Sequence, residues 1–169
     1  MSGARLAPGG GQANVATGVP LLDHLLTLLA TAARFDLTLE IEPDEPVAEV
    51  DAAGAAIGRA VAPLLRLGAH GSGVMLSAEA LAMVAVEASG TALVATNADL
   101  TGAGGLGTDI AARFLASLAD AAALTLHVRL IEGENTDHVL EAIFKALGVA
   151  LGVAVHDAAL RVEADALNR

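Results

Sequence analysis

The sequence predicts an α/β chain made of two related helix–strand–helix halves, on three observations. Phe35–Glu42 (FDLTLEIE) alternates apolar and polar residues, the period-two signature of a half-buried strand. Leucines at 21, 22, 25, 26, 28 and 29 follow Pro20 too densely for a helix with one exposed face, so this helix is buried on most sides. Leu28-x8-Leu37-Thr38-Leu39 recurs as Leu115-x8-Leu124-Thr125-Leu126, each time as a helix end feeding a strand, and each strand is followed by a turn and a long Ala-rich helix.

Taken in order, Gly9-Gly10-Gly11 fits a turn joining a short strand near Arg5 to another near Ala13–Ala16, a hairpin. Pro20 suits the first turn of a helix running to about Ala33. The strand from Phe35 stops at Pro43-Asp44-Glu45-Pro46, and a second helix over about 50–67 ends near Gly68. Val74–Val86 and Thr91–Asn97 read as two strands around the Ser89-Gly90 turn. Gly102–Gly107 is a loop before a helix from Thr108 to about Ala122, and it matches neither a dinucleotide-binding glycine spacing nor a P-loop. Two halves follow, 1–88 and 89–169, sharing one compact unit.

Composition narrows the function. Twenty acidic against nine basic residues give a net charge of −11, which repels nucleic acid and anionic lipid. A phosphorylated substrate would be repelled too, unless a local basic group or a metal ion offset the charge. With no cysteine, any metal falls to histidine and carboxylate ligands, which turns attention to the five histidines. Aromatic content of 2% leaves a core of Ala, Leu and Val, and the high mean hydropathy points to buried subunit faces. No apolar run reaches the roughly 18 residues needed to cross a bilayer, and residues 1–18 lack the basic end and apolar centre of a secretory signal. A soluble, cytoplasmic protein with no membrane partner is the expectation.

The sharpest constellation is Glu134-Asn135-Thr136-Asp137-His138-Val139-Leu140-Glu141, at the start of the last long helix. Residues three or four apart share a helical face, so His138 or Asp137 together with Glu141 can address one ion, and imidazole with carboxylate suits Mn, Fe or Zn. The plainer alternative is a solvated helix start in which Asp137 and Glu141 complement the helix dipole. Asp23-His24 sits in the leucine-dense helix, where a polar pair is costly unless bonded or bound to something. His127, on a strand whose first-half counterpart is Glu40, reads on its own as an exposed strand residue, and His70 and His156 as ordinary surface residues.

These residues resemble those of the imidazoleglycerol-phosphate dehydratase family over nearly the whole chain. Gly11-Gln12-Ala13-Asn14-Val15-Ala16-Thr17-Gly18 followed by Leu22-Asp23-His24 is similar to its segment ending in STG…FLDHM, and Phe35-Asp36-Leu37-Thr38 to its FDL strand. Leu124–Arg129 (LTLHVR) resembles LTLHIRV, and Gly133–Leu147 (GENTDHVLEAIFKAL) resembles GENAHHIIEAIFKAL. The last match is the longest and most specific.

The resemblance implies a two-layer α+β sandwich, each half a mixed four-stranded sheet backed by two helices, in trimers assembled up to 24 chains. It implies manganese-dependent conversion of imidazoleglycerol phosphate to imidazoleacetol phosphate and water, with two His-His-x-x-Glu motifs building metal sites at subunit contacts. Carried over residue by residue, His24, His127, Asp137, His138 and Glu141 are the metal ligands, Glu141 and Asp51 the catalytic carboxylates, and Lys145 and Asp23 the substrate contacts. Departures are specific. The first motif reads Val47-Ala48-Glu49-Val50-Asp51, and Asp137 replaces the first histidine of the second. Thr91 stands where an arginine is expected, Ala78-Glu79 where an Asp-Glu pair is, and the family's C-terminal Ser-Thr-Lys segment has no counterpart. One manganese site where the family has two, or none, is the corresponding expectation. The alternatives to the dehydratase are a non-catalytic paralogue that assembles with itself or with an intact relative, and a lyase or binding module with a changed substrate.

Overall fold

The computed structural model describes residues 2–100 and 109–169. Its elements run β1 (Gly3–Pro8), β2 (Ala13–Ala16), α1 (Pro20–Ala33), β3 (Phe35–Glu40), α2 (Pro46–Val61), β4 (His70–Ser77), β5 (Ala80–Glu87), β6 (Leu93–Thr96), α3 (Ile110–Ala122), β7 (Thr125–Glu132) and α4 (Thr136–Leu167). Two mixed sheets form, one ordered β1-β3-β2 and the other β4-β5-β7-β6. The Gly102–Gly107 loop and the helix start at Thr108 lie outside the described residues.

The alternation read from FDLTLE is observed: Phe35, Leu37 and Leu39 are buried, and Asp36, Thr38 and Glu40 are exposed. α1 starts at Pro20 as expected and ends at Arg34, whose left-handed backbone (φ 56°) turns the chain directly into β3. The second half repeats the device at Ala123 (φ 52°), between α3 and β7. β3 pairs antiparallel with β1 and parallel with β2, and β7 pairs antiparallel with β5 and parallel with β6. The duplication read from the leucine repeat is therefore a duplication of topology. Matching the sheets strand by strand leaves β4 as the element with no counterpart. The first sheet accordingly has three strands among the described residues, where four were expected.

Three local expectations are corrected. The Gly9–Gly11 segment and the Ser89-Gly90 turn do not close hairpins, because in each half the later strand inserts between the two strands they join. That later strand finds partners for both of its edges there, so its pairing wins over local closure. Val74–Val86 is not one strand but the β4–β5 hairpin, turning at Ala78 with φ 48°. No glycine, asparagine or proline marks that turn. The second helix begins at Pro46, which suits its first turn, and gives way at Val61 to a single 3-10 turn containing Pro63.

The helices pack in two equivalent pairs, α1 with α4 and α2 with α3. Both contacts depend on glycines four residues apart on one helix. A Cβ at Gly148 or Gly152 of α4 would lie 2.4 Å from the Leu29 carbonyl oxygen or 2.6 Å from that of Ala33. At Gly54 and Gly58 of α2, the Phe114 and Leu118 carbonyl oxygens would be 2.7 and 2.9 Å away. The three phenylalanines fill the centre, Phe114 and Phe144 with ring centroids 5.3 Å apart. α4 is, among the described residues, the one helix long and apolar enough to cross a membrane, and 67% of its most apolar stretch is buried inside the molecule. The expectation of no such stretch is corrected, because charged and polar residues interrupt the apolar run in sequence while the helix as a whole is apolar.

Gly148→Ala tests the helix contact. Although alanine is the better helix former by about 1 kcal/mol, overpacking against the rigid backbone of α1 is expected to destabilise the protein by about 1–3 kcal/mol in urea unfolding. A gain in stability would show that α1 and α4 are not in contact there.

Candidate functional site

α4 opens with a cap. The Asn135 side-chain oxygen accepts the His138 backbone N–H (3.2 Å), which fixes the first turn carrying Asp137, His138 and Glu141. The β4–β5 turn lies against it. Glu79 accepts the Asn135 N–H through one carboxylate oxygen (3.0 Å) and meets His138 Nδ1 with the other (2.6 Å).

Across the α1–α4 contact, His24 Nε2 lies 3.1 Å from Glu141 Oε2, and the other Glu141 oxygen accepts Ser77 Oγ at 3.4 Å. The side chain of His24 is about half exposed and that of Glu141 a quarter, so the pair is open to a ligand. Lys145, one turn beyond Glu141, donates to the Leu76 carbonyl oxygen (3.2 Å). Two imidazole–carboxylate pairs thus sit at the N-terminal end of α4, tied together by β4 and its turn.

The other sequence-derived candidates lie apart from these pairs. Asp23 points the opposite way from His24: its carboxylate accepts both the backbone N–H and the hydroxyl of the buried Thr17, holding the chain entry to α1. Asp51 takes two bonds from the Arg113 guanidinium and a longer one from Ser117 Oγ (3.5 Å). Asp137 is exposed in the first turn of α4. His127 is exposed on β7, between buried Leu126 and Val128, so it faces away from the helices. Among the described residues, no three His, Cys, Asp or Glu side chains of a single chain gather as a metal-holding group. Glu79 is the residue that sequence reasoning passed over. In the sequence it stands out only as half of a substituted pair, because no residue signal marks the turn that carries it.

The donor chemistry of His24, His138 and Glu141, imidazole with carboxylate, fits a divalent cation such as manganese. The Asp51–Arg113 pair does not, because a guanidinium already holds both carboxylate oxygens.

The comparisons with known proteins agree with one another. A family profile described as imidazoleglycerol-phosphate dehydratase matches residues 17–151. The chain is similar to the imidazoleglycerol-phosphate dehydratase of Desulforudis audaxviator, 37% identical over 155 residues that cover 86% of this chain and 79% of that protein. It is 36% identical to that of Bacillus anthracis over 155 residues, covering 86% and 80%. Among solved structures, imidazoleglycerol-phosphate dehydratase from Staphylococcus aureus superposes with a TM-score of 0.80 at 30% identity, covering 90% of this chain and 91% of that one. IGPD from Pyrococcus furiosus gives 0.79 at 27%, covering 90% and 86%.

The Asn135 amide, the amide of Glu79 itself and then the His138 ring hold the Glu79 carboxyl at about 2, below its ordinary 4.5. A carboxyl whose folded value is depressed contributes stability above its unfolded value and loses it as pH falls through the folded one. Unfolding measured from pH 4.5 down to about 2 should therefore show a shallower loss of stability in Glu79→Gln than in the wild type. Parallel curves would mean that these hydrogen bonds are not made in solution.

Proposed function

The chain belongs to the imidazoleglycerol-phosphate dehydratase family, and from that premise we propose that it dehydrates imidazoleglycerol phosphate to imidazoleacetol phosphate in histidine biosynthesis. The observation that carries this reading is the His24–Glu141 contact, an imidazole and a carboxylate from two helices held at ligand distance from each other. In this reading His24, His138 and Glu141 are the manganese ligands kept by the chain, with Asp137 beside them in the same turn. Manganese, when bound, would supply Lewis-acid stabilisation of the negative charge left on the substrate as it gives up a proton, the charge that is discharged when the hydroxyl leaves as water. Glu141, oriented by Ser77, is the carboxylate placed to carry a proton, and Lys145 is the cation one turn away for the phosphate.

The site is completed between copies of the chain. Val74, Leu76 and Leu93 are 55%, 62% and 51% exposed on the outer face of the second sheet, which they share with Met83 and with the interspersed polar residues Glu87, His127 and Arg129. An uncovered face of this kind favours burial against further chains, in the trimer-based assembly of up to 24 that the family resemblance implies. His127 shares that face, since it pairs across β5 and β6 with Ala85 and Ala95, and is thereby offered to another chain's site. The setting is the cytoplasm, with neither nucleic acid nor membrane as partner.

The Arg113–Asp51 ion pair favours a second reading. Asp51 occupies the first-half position equivalent to Glu141, and its carboxylate is already bound. A paralogue that has lost one site can persist as an assembly or binding subunit, alone or with an intact relative, or act on a different substrate.

Titration of metal-stripped protein with Mn²⁺ separates the readings. The dehydratase reading expects about one ion per chain, metal-dependent turnover of imidazoleglycerol phosphate, and loss of both in His24→Ala and Glu141→Ala. No binding and no turnover by a correctly assembled protein would leave the assembly subunit.

A further inference from the structure

We infer that Glu79 is a positioning residue that fixes the tautomer and ring orientation of His138, leaving Nε2 of that histidine as the nitrogen available to a metal. The inference rests on the metal-site reading above and adds a residue outside the ligand set. Its basis is donor and acceptor chemistry. An ionised carboxylate only accepts, so the 2.6 Å contact requires His138 Nδ1 to carry a proton. In the neutral ring the lone pair then sits on Nε2, and a ligand must approach there.

Three bonds close a small ring around the histidine. Asn135 caps the His138 amide, Glu79 takes the Asn135 amide, and Glu79 takes His138 Nδ1. The carboxylate is thereby anchored to the backbone of the same turn whose side chain it orients, and two backbone-linked points define the ring plane. Among the described residues, the Glu141 carboxylate meets side chains, His24 and Ser77, rather than backbone. A carboxylate on the far nitrogen of a ligating imidazole also raises the basicity of the near one. Glu79 stands in a turn of β4–β5 that sequence signals do not mark, so its place beside His138 comes from the hairpin rather than from α4.

The test uses the full chain, ¹⁵N-labelled, with two-bond ¹H–¹⁵N spectra at about pH 8.5, where an ordinary imidazole is neutral. His138→Gln assigns the ring signals. The wild type should show His138 protonated at Nδ1, Glu79→Ala should shift it towards the Nε2-protonated form, and Glu79→Gln, which keeps an acceptor oxygen, should restore the wild-type pattern. Asn135→Ala should lower stability without changing the tautomer, which separates positioning from helix capping. With Mn²⁺ alone as the probe, affinity followed by electron paramagnetic resonance should fall about 10- to 100-fold in Glu79→Ala. An Nε2-protonated His138 in the wild type, or an unchanged tautomer in Glu79→Ala, overturns the inference. A wild type that binds no Mn²⁺ overturns the metal reading instead, and the tautomer result still decides the role of Glu79.

Discussion

The parallel contact between α1 and α4 is the constraint on which the site depends. Gly148 and Gly152 carry no side chain, so the backbone of α4 can lie against the carbonyl groups of Leu29 and Ala33. Running in the same direction, the two helices then bring Glu141 opposite His24 about two turns upstream. Holding the helices further apart would draw the imidazole away from the carboxylate it now meets at 3.1 Å. Small residues at the interface are therefore part of the site, although none of them touches a ligand. The same packing explains how a chain with three phenylalanines builds a dense interior from alanine and leucine.

The duplicated halves show what one geometry permits when the side chains change. Gly54 and Gly58 set α2 against α3 as Gly148 and Gly152 set α4 against α1. At equivalent places the second half presents Glu141 to His24, while the first presents Asp51 to Arg113. An imidazole can surrender its place beside a carboxylate to a metal ion, whereas an arginine brings its own permanent charge and two donors. The halves share a scaffold and differ in whether their carboxylate is available. The solvent-exposed setting of the Asp51–Arg113 pair makes it a modest contributor to stability, so its consequence lies in occupancy of the carboxylate.

The sheets divide their surfaces in a similar way. Inward residues of β3, β5 and β7 cover the helices, while the outer face of the second sheet keeps Val74, Leu76, Met83 and Leu93 beside His127. A net charge of −11 keeps such a surface from collecting anionic partners. The polar outer face of the first sheet, with Asp36, Thr38 and Glu40, has no comparable apolar patch.

Several elements were legible in the residues alone. The α1 start at Pro20, the alternating β3 and the helix-to-strand repeat each arise from interactions between near neighbours in sequence, where periodicity carries the information. The placing of Asp137, His138 and Glu141 in the first turns of α4 was legible for the same reason, although His138 and Glu141 turn to different partners, Glu79 and His24. Strand order was not legible. β3 and β7 enter between strands that precede them, and a hairpin signal at Gly9–Gly11 or Ser89-Gly90 says nothing about a third strand arriving later. Nor did residue type separate the roles of Asp23 and His24, neighbours that face a threonine on one side and a glutamate on the other. The sequence by itself determined the first helix, the alternating strand that follows it and the relatedness of the halves. Only the tertiary structure decided that Glu141 meets His24, that Asp51 meets Arg113 and that Glu79 reaches His138, because these pairings join residues far apart in the chain. Their distances are set by backbone packing, which no local pattern encodes.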